Sequence, residues 1–390
     1  MHAAAFLCVI SAHAAHSPTP SAGCSAGISP PVTPGAAPAR LEIEVPDATQ
    51  PGGKATRAYF LQLPAASNSN SSAPAMVVFD LHGYYDTAKS QISENRLAEY
   101  VRTSGTNAIV VSPAGSNDGG DSATWNMDGN GLNTKPGPMG DICEHNRRFF
   151  GVYKCYTSCT QSPNGCNPHE GCDNSSCMDD KGFLTALLDH LEASLCVDTS
   201  SVHFTGISTG AMMVLTMALH IPDRIASVVS IAGSRFLGFN TPPTKAGHKV
   251  SFMDVHGFED NTIPANASNG FKPTKYPGPH GSGVSNDGFY YTPIPNITSV
   301  WAENNGCDNS GNKHFATKFD GVAADDDEAG GDWKWSCNLP HGDCGGADVV
   351  QCTGQWDHTW PFCPYNQYPC ANTNYAELTI DFMQSHPKLA

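Results

Sequence analysis

Residues 201–213 read Ser201-Val202-His203-Phe204-Thr205-Gly206-Ile207-Ser208-Thr209-Gly210-Ala211-Met212-Met213. This segment predicts a strand, a sharp turn and a helix in immediate succession. β-Branched and aromatic residues favour the strand, and apolar residues at helical spacing, Leu215, Met217 and Leu219, continue the helix. Glycine at positions 206 and 210 avoids the Cβ atoms that would strike the neighbouring strand or helix. The turn presents the Ser208 hydroxyl above the sheet, so we predict that Ser208 is the nucleophile of a hydrolase.

A second copy of the same five-residue pattern, Gly23-Cys24-Ser25-Ala26-Gly27, lies near the start of the chain. It has no strand before it and no helix after it, and its neighbours are Pro, Ser and Ala. We therefore expect a flexible coil there, and the surrounding pattern selects Ser208.

Strand and helix patterns alternate on both sides of Ser208, which predicts an α/β fold with a mostly parallel sheet flanked by helices. The two opening strands alternate apolar with polar residues, whereas the later strands are continuously apolar and should be buried on both faces. The predicted strands are 41–45, 57–63, 76–81, 107–111, 201–207, 225–233, 250–255 and 347–354, and the predicted helices include 88–103, 179–196 and 375–383.

The chain of 390 residues divides into an export leader and one catalytic domain. Residues 1–15 resemble a signal peptide, although no Lys or Arg precedes the apolar centre. Residues 16–40 are a Pro-, Ser- and Ala-rich lead-in, expected to be poorly ordered or draped over the domain. The catalytic domain spans 41–390 and contains a cysteine-rich loop insertion at 116–178. We expect a secreted, monomeric protein.

Cysteine content supports export. Of 15 cysteines, Cys8 lies in the leader, which leaves an even number that predicts disulfides. Six cysteines of the insertion have spacings too irregular for a typical zinc site, so we expect bridges and no metal. The acidic run 325–328 is interpreted as a solvated loop rather than a calcium site. Glycosylation motifs expected on surface loops occur at Asn70, Asn174, Asn266 and Asn296.

The formal net charge of −16 argues against nucleic acid and anionic membrane as partners, because either would repel most of the surface. Acidity by itself mainly indicates a soluble protein. No segment after the leader approaches the twenty apolar residues that a membrane span requires.

The loop after strand 76–81 begins with His82-Gly83-Tyr84. In hydrolases whose serine lies on such a strand–turn–helix, a backbone N–H from this loop and the N–H of the residue after the nucleophile bind the oxyanion. We therefore assign the oxyanion hole to the amides of Tyr84 and Thr209. The alternative is an ordinary turn at the end of a strand, and the His82 side chain is expected to be structural.

A serine nucleophile needs a base, and the base needs an orienting acid. Asp260 follows the predicted strand 250–255, where such a carboxylate belongs. Glu259 and Asp254 are rivals, although Asp254 lies within the strand. We predict Asp260 as the acid.

The base is predicted to be His358, because it alone follows the last predicted strand, 347–354. His314 and His341 precede that strand in loops rich in Gly and Asp. His358 would take the proton of Ser208 and return it to the leaving alcohol.

Three tryptophans are candidate substrate contacts. Trp125 lies in the insertion and is interpreted either as a substrate contact or as part of a local core. Trp356 and Trp360 flank His358, where bulk would narrow the site.

Together these motifs resemble the secreted feruloyl esterase and polyhydroxybutyrate depolymerase-like family of α/β-hydrolases, a carbohydrate-esterase type. The resemblance extends from about Cys24 to the C-terminus and implies the same triad, Ser208, Asp260 and His358. Its carriers are 81–83, Asp180 with 182–184, 206–213, 256–257 with 260 and 263–264, 300–307, 358–361 and the helix 375–383.

Several features depart from the family pattern. Gln355-Trp356-Asp357 stands where relatives have a glycine-rich approach to the histidine, and Thr209-Gly210-Ala211 stands where Asn-Gly-Gly is common after the serine. The insertion is also long for the family. These departures affect the expected identity of the substrate more than the expected reaction mechanism.

The resemblance implies a serine carboxylic ester hydrolase that needs no cofactor and acts through an acyl-enzyme. It suggests feruloyl esters on cell-wall polysaccharide first, polyhydroxybutyrate second and acetylated xylan third. A catalytically inactive secreted binding protein on the same fold is the alternative from a different class.

Overall fold

The computed structural model describes most of the chain. The described residues are 16–27, 29–50, 52–65, 73–117, 122–129, 136–144, 156–160, 175–241, 247–266, 268–269, 272–273, 278–320, 335–363, 370 and 372–389. The leader, the acidic run 325–328, much of the insertion, and the motifs at Asn70 and Asn174 lie outside them. Of the other two motifs, Asn266 is half-buried and Asn296 is exposed in the first turn of a helix.

Strands and helices alternate through the centre of the chain as the sequence predicts. The strands are β1 Ala39–Pro46, β2 Lys54–Gln62, β3 Ala75–Leu81, β4 Ala108–Pro113, β5 Val197–Ile207, β6 Ser227–Ile231, β7 Ser251–Gly257, β8 Ser268–Asn269, β9 Lys272–Pro273, β10 Gly283–Val284, β11 Tyr290–Tyr291, β12 Lys313–His314, β13 Ser336–Leu339 and β14 Val349–Gly354. The helices are α1 Ala88–Asn95, α2 Leu97–Ser104, α3 Thr157–Thr160, α4 Asp180–Ser194, α5 Thr209–His220, α6 Ile294–Asn305 and α7 Asn374–Ser385, with short 3-10 turns at Ala22–Ser25 and Pro279–Gly281.

In the described part of the chain, ten strands form one sheet in the order β1-β2-β4-β3-β5-β6-β7-β14-β13-β12. The six central strands, from β4 to β14, pair in parallel, and antiparallel strands lie outside them at both edges. Helices cover both faces, as a parallel sheet requires. This is the α/β-hydrolase fold.

The register of the parallel strands brings their carboxyl ends to one edge of the sheet. Ile207 at the end of β5 pairs with Ile231 of β6, which in turn pairs with Val255 of β7. Gly257 at the end of β7 pairs with Gly354 at the end of β14. The loops that follow β5, β7 and β14 therefore begin at the same edge of the sheet, with β6 between β5 and β7.

The core forms two apolar layers, one on each face of the sheet. Alternation along β3 divides its side chains between them, with Val77 and Phe79 in one layer and Met76 and Val78 in the other. The first layer holds α4, α5 and α6, and the second holds α2 and α7.

The predicted helix 88–103 is wrong in one respect, because the structure divides it into α1 and α2 at Arg96, which has a φ of +55°. The Asn95 side chain donates to both carboxylate oxygens of the buried Asp80, at 3.0 Å each, and accepts a hydrogen bond from the Leu97 amide at 2.9 Å. These hydrogen bonds interrupt the helix where its apolar periodicity continues.

Five disulfides join described cysteines, which confirms the prediction of bridges for this part of the chain. The pairs are Cys24–Cys196, Cys159–Cys177, Cys307–Cys344, Cys337–Cys352 and Cys363–Cys370, and Cys143 is also disulfide-bonded.

The lead-in is draped along the domain. Its Ser21 amide donates to Val197 at the start of β5 at 2.8 Å, and the His16 imidazole pairs with Asp198 at 2.6 Å. The expected coil at the second copy of the serine motif is wrong, because Ala22–Ser25 form a 3-10 turn and Cys24 is bonded to Cys196.

A buried ion pair ties the insertion to the sheet. Arg57 of β2 contacts Asp180 at the start of α4 at 2.6 Å, and both side chains are almost fully buried. The other Asp180 oxygen accepts the backbone N–H of Asn126 in the insertion at 2.6 Å.

In the described residues, no helix combines the length and apolar character of a membrane span.

Candidate active site

Ser208 occupies the sharp turn between β5 and α5. Its backbone has φ 58° and ψ −125°, a conformation that a non-glycine residue adopts only where the surrounding structure enforces it. The amide donates to Ile231 O at 3.0 Å, and the carbonyl accepts from the Met212 amide at 3.0 Å. A Cβ on Gly210 would overlap the backbone oxygen of Leu81, so only glycine fits there. This arrangement leaves the Ser208 side chain partly exposed at the sheet edge.

Asp260 and His358 meet at the same edge. Asp260 lies three residues beyond the end of β7, and His358 lies four residues beyond the end of β14. Nδ1 of His358 is 2.8 Å from Oδ2 of Asp260. Because Nδ1 donates to the carboxylate, Nε2 is the ring nitrogen left to accept a proton.

The Asp260 carboxylate is fully buried and held at both oxygens. Oδ1 accepts the amides of Thr262 at 2.9 Å and Ile263 at 2.8 Å, while Oδ2 accepts from His358. Burial by itself would raise the pKa of Asp260, but the imidazoles of His358 and His256 outweigh it and hold that pKa well below its usual range. Asp260 is therefore an ionised, fixed acceptor.

His256, at the end of β7, is a second histidine beside Asp260. Its Nε2 lies 2.7 Å from Ile263 O and 3.4 Å from Oδ2 of Asp260, and its Nδ1 lies 3.5 Å from Asp254. Burial lowers its pKa, but the Asp254 and Asp260 carboxylates more than compensate and raise that pKa to about 10. The sequence motifs include His256 but assign it no chemical role, although its position four residues before Asp260 indicates that the two side chains are neighbours.

The rival residues lie elsewhere. Glu259 accepts a hydrogen bond from Gln355 at 3.2 Å, and Asp254 is buried within β7. His314 pairs with Asp320 at 2.8 Å, and His341 contacts Thr298 at 3.2 Å. Among the predicted alternatives, only Asp260 and His358 contact each other.

The predicted oxyanion donors belong to two segments that adjoin Ser208. Thr209 is the first residue of α5, where a backbone N–H has no partner within the helix. A Cβ placed on Gly83 would lie 3.2 Å from the Ser208 Cβ, so the loop that carries Tyr84 packs directly against Ser208.

His82 holds that loop. Its Nε2 accepts the Gly115 amide at 2.9 Å, so its Nδ1 carries the proton and donates to Gly83 O at 2.8 Å. Burial lowers the pKa of His82, which favours this neutral form. In a trans peptide the N–H is directed opposite to the C=O. Fixing the carbonyl of Gly83 therefore also fixes the direction of the Tyr84 N–H.

The three tryptophans predicted to contact substrate are buried. Trp125 is 0% exposed, and its indole N–H donates to His82 O at 2.8 Å. Trp356 stacks on Trp335 with ring centroids 5.8 Å apart, and Trp360 packs on Tyr375 at 4.7 Å. In this structure they line the core rather than an open site, so for Trp125 the local-core interpretation is the one that fits.

The described residues contain no group of three or more His, Cys, Asp or Glu side chains that could hold a metal ion. The sheet edge instead bears a serine on a strained turn and a histidine hydrogen-bonded to a buried carboxylate. This set of groups can perform acyl transfer.

One part of the chain matches a protein-family model. Residues 164–275 match the family described as Phospholipase/Carboxylesterase, which is less than a third of the chain. The matched segment contains Ser208 and Asp260 and ends before His358.

Curated relatives match a similarly limited part. A probable feruloyl esterase C from Aspergillus clavatus is 31% identical over 110 residues, which cover 28% of this chain and 38% of the relative. A probable feruloyl esterase C from Aspergillus niger is 27% identical over 103 residues, covering 26% of this chain and 36% of the relative. The matches thus span less than two thirds of these relatives.

Among solved structures, an acetyl xylan esterase from Aspergillus awamori aligns with a TM-score of 0.48 and 13% identity, covering 89% of this chain and 99% of that one. The family model and the curated relatives confirm, over the part that they cover, that this chain resembles the feruloyl esterase-like α/β-hydrolases.

Proposed function

We propose that this protein is a secreted serine carboxylic ester hydrolase that acts through an acyl-enzyme, with feruloyl esters of cell-wall polysaccharide as its first candidate substrates. The observation that carries the proposal is the hydrogen bond between His358 and the buried Asp260 at the sheet edge that also bears Ser208. The partial matches to carboxylesterases and feruloyl esterases support the reaction class and the substrate class.

The first half of the reaction forms the acyl-enzyme. Ser208 Oγ attacks the ester carbonyl carbon while Nε2 of His358 takes the hydroxyl proton. The carbonyl oxygen becomes an oxyanion between the amides of Tyr84 and Thr209. The tetrahedral intermediate collapses, the C–O bond to the alcohol breaks, and the alcohol leaves with the proton from His358.

The second half releases the acid. A water molecule loses a proton to His358 Nε2 and attacks the acyl carbon, and the same two amides bind the new oxyanion. When the bond to Ser208 Oγ breaks, His358 returns the proton to that oxygen. Asp260 stays ionised throughout and stabilises the imidazolium in each half.

Secretion is supported by the apolar leader predicted at 1–15 and by the disulfides among described cysteines. Analysis of the culture medium of an expressing eukaryotic host would test secretion directly, because intact, oxidised protein should accumulate there without the leader.

The chain supplies a matched control for the nucleophile. Ser208→Ala should abolish hydrolysis of 4-nitrophenyl acetate while circular dichroism and the thermal midpoint stay unchanged. Ser25→Ala, in the exposed second copy of the motif, should keep wild-type activity. If folded and oxidised wild-type protein hydrolyses no ester, the inactive binding protein becomes the better explanation.

The acyl group can then be identified. Methyl ferulate, acetylxylan and hydroxybutyrate oligomers would be compared by kcat/KM with the same preparation. We expect the feruloyl ester to be preferred, and a higher value for either other substrate would reassign the substrate while leaving the mechanism in place.

A further inference from the structure

Tyr85 combines strain with exposure. It is 70% exposed, the highest value among the large hydrophobic side chains of the described residues, and its backbone has a φ of +64°. A bulky residue in this left-handed region is disfavoured, and glycine would adopt it without strain. A strained residue that presents an aromatic ring to solvent beside a candidate active site points to a functional role.

The Tyr85 ring packs on the side chain of its neighbour, Tyr84. It packs edge-on against the Tyr84 ring, with centroids 4.5 Å apart and an interplanar angle of 72°. Tyr84 packs in turn against a buried cluster in the insertion, formed by Tyr156 and the Cys159–Cys177 disulfide. The Tyr156 hydroxyl donates to Ser122 O at 2.5 Å. The Tyr84 ring and this part of the insertion therefore support the exposed ring.

Tyr85 is also close to the proposed chemistry along the chain. It follows the Tyr84 amide, a proposed oxyanion donor, and it is two residues from Gly83, which packs against Ser208. An ester whose carbonyl oxygen lies in the oxyanion hole has its carbonyl carbon beside this loop, and the acyl chain is attached to that carbon. A flat, conjugated acyl group could then reach the Tyr85 ring.

We propose that Tyr85 is the aromatic platform on which the ring of a hydroxycinnamoyl ester packs. The proposal rests on the ester hydrolase function proposed above and adds a residue that determines substrate preference. Aromatic pairs favour offset or edge-to-face packing, and one such contact changes affinity by up to about tenfold. The insertion, which supports Tyr84, would act as part of the specificity apparatus.

The test uses two esters with the same alcohol, methyl ferulate and methyl acetate, with acid release followed by titration at constant pH. The measured quantity is the ratio of their kcat/KM values. Tyr85→Ala should lower this ratio about tenfold, and Tyr85→Trp should restore it. Leu389→Ala removes another exposed apolar side chain, 43% exposed, and should leave both kcat/KM values unchanged.

Tyr85→Gly separates a substrate contact from a structural role. Because glycine tolerates the φ of this position, the thermal midpoint should stay the same or rise, while the ferulate-to-acetate ratio should fall as in Tyr85→Ala. A structural role for the ring predicts the opposite, a lower midpoint and an unchanged ratio.

Failures of the two proposals are distinguishable. If the wild type hydrolyses methyl acetate and Tyr85→Ala leaves the ratio within about twofold, the platform is refuted and the hydrolase function stands. The platform is also refuted if Tyr85→Ala impairs 2-phenylethyl acetate, whose ring is on the alcohol, but not methyl ferulate. If the folded wild type hydrolyses neither these methyl esters nor any other ester tested above, the proposed function itself fails.

Discussion

Nδ1 of His358 lies 2.8 Å from Oδ2 of Asp260, and the carboxylate of Asp260 has no exposure to solvent. Asp260→Asn should reduce kcat for 4-nitrophenyl acetate by about 10³- to 10⁴-fold, because the amide no longer fixes the tautomer of the base or stabilises its charged form. Steady-state kinetics of the folded variant would measure the loss.

Glu259→Gln provides the matched control for this acid. Glu259 is adjacent in the chain and accepts from Gln355 rather than from His358. Its variant should keep kcat within about twofold. If Glu259→Gln loses activity while Asp260→Asn retains it, the orienting acid is Glu259 and not Asp260.

The two nitrogens of His82 can be tested separately. His82→Asn keeps a donor near the position of Nδ1, and His82→Gln keeps an acceptor near the position of Nε2. If the hydrogen bond to Gly83 O aligns the Tyr84 amide, the Gln variant should lose about 10- to 100-fold in kcat. This loss is no larger than the cost of removing one oxyanion donor completely.

His82→Asn should lose about tenfold less than His82→Gln, with KM little changed in both. Equal losses in the two variants, or a loss confined to thermal stability, would show that His82 acts on the packing of the loop and not on the oxyanion donor.

The Arg57–Asp180 pair should contribute strongly to stability. Arg57→Met leaves a buried carboxylate without its cation and should lower the free energy of unfolding by about 3–5 kcal/mol in urea titrations. The double variant Arg57→Met with Asp180→Leu should recover part of that loss, since no charge then remains unpaired.

An exposed ion pair gives the comparison. Arg40 and Glu42 are 2.8 Å apart, with side chains 56% and 52% exposed. Arg40→Gln should cost no more than about 1 kcal/mol in the same titration. A loss as large as that of Arg57→Met would mean that burial does not determine how much each ion pair contributes to the free energy of unfolding.

Asp80 should make stability depend on pH. Burial raises its pKa to about 6, although the side chains of Asn95 and Gln91 donate to it and oppose the rise. Between pH 4 and pH 6 the folded state therefore binds a proton that the unfolded state has released. Stability falls as pH increases through this window, by an amount on the order of 3 kcal/mol.

The measurement is the difference in unfolding free energy between the wild type and Asp80→Asn, which has no ionisable group at this position. The wild type should lose stability relative to the variant between pH 4 and pH 7. A difference that stays constant, or that grows in favour of the wild type, would contradict a raised pKa at Asp80.

Local patterns in the sequence predicted the main strands and the order of the candidate site residues. Apolar runs such as 76–81 predict buried strands directly, and the parallel pairing follows from their alternation with helices. In a parallel sheet the carboxyl ends share one edge, so the positions of Ser208, Asp260 and His358 after their strands predicted that all three belong to that edge. The hydrogen bond between Asp260 and His358 agrees with this prediction for two of them.

What the sequence missed depends on contacts between distant residues. The break at Arg96 follows from hydrogen bonds of Asn95 to Asp80, fifteen residues earlier. The contact of His256 with Asp260 and the partner of each cysteine depend on how the loops pack. The strain and exposure of Tyr85 follow from the path of the loop, which no local pattern of apolar residues encodes.

The loop that carries His358 begins and ends near disulfides. Cys352 of β14, six residues before His358, is bonded to Cys337 of β13, and Cys363, five residues after it, is bonded to Cys370. Thiol reductants would release both anchors of His358, the proposed base. They would also open the Cys24–Cys196 bond, which ties the lead-in to the junction of α4 and β5 and does not cross-link the strands of the sheet. Turnover should then disappear at dithiothreitol concentrations that the folded core survives, and active protein would have to be produced in a host compartment that oxidises thiols.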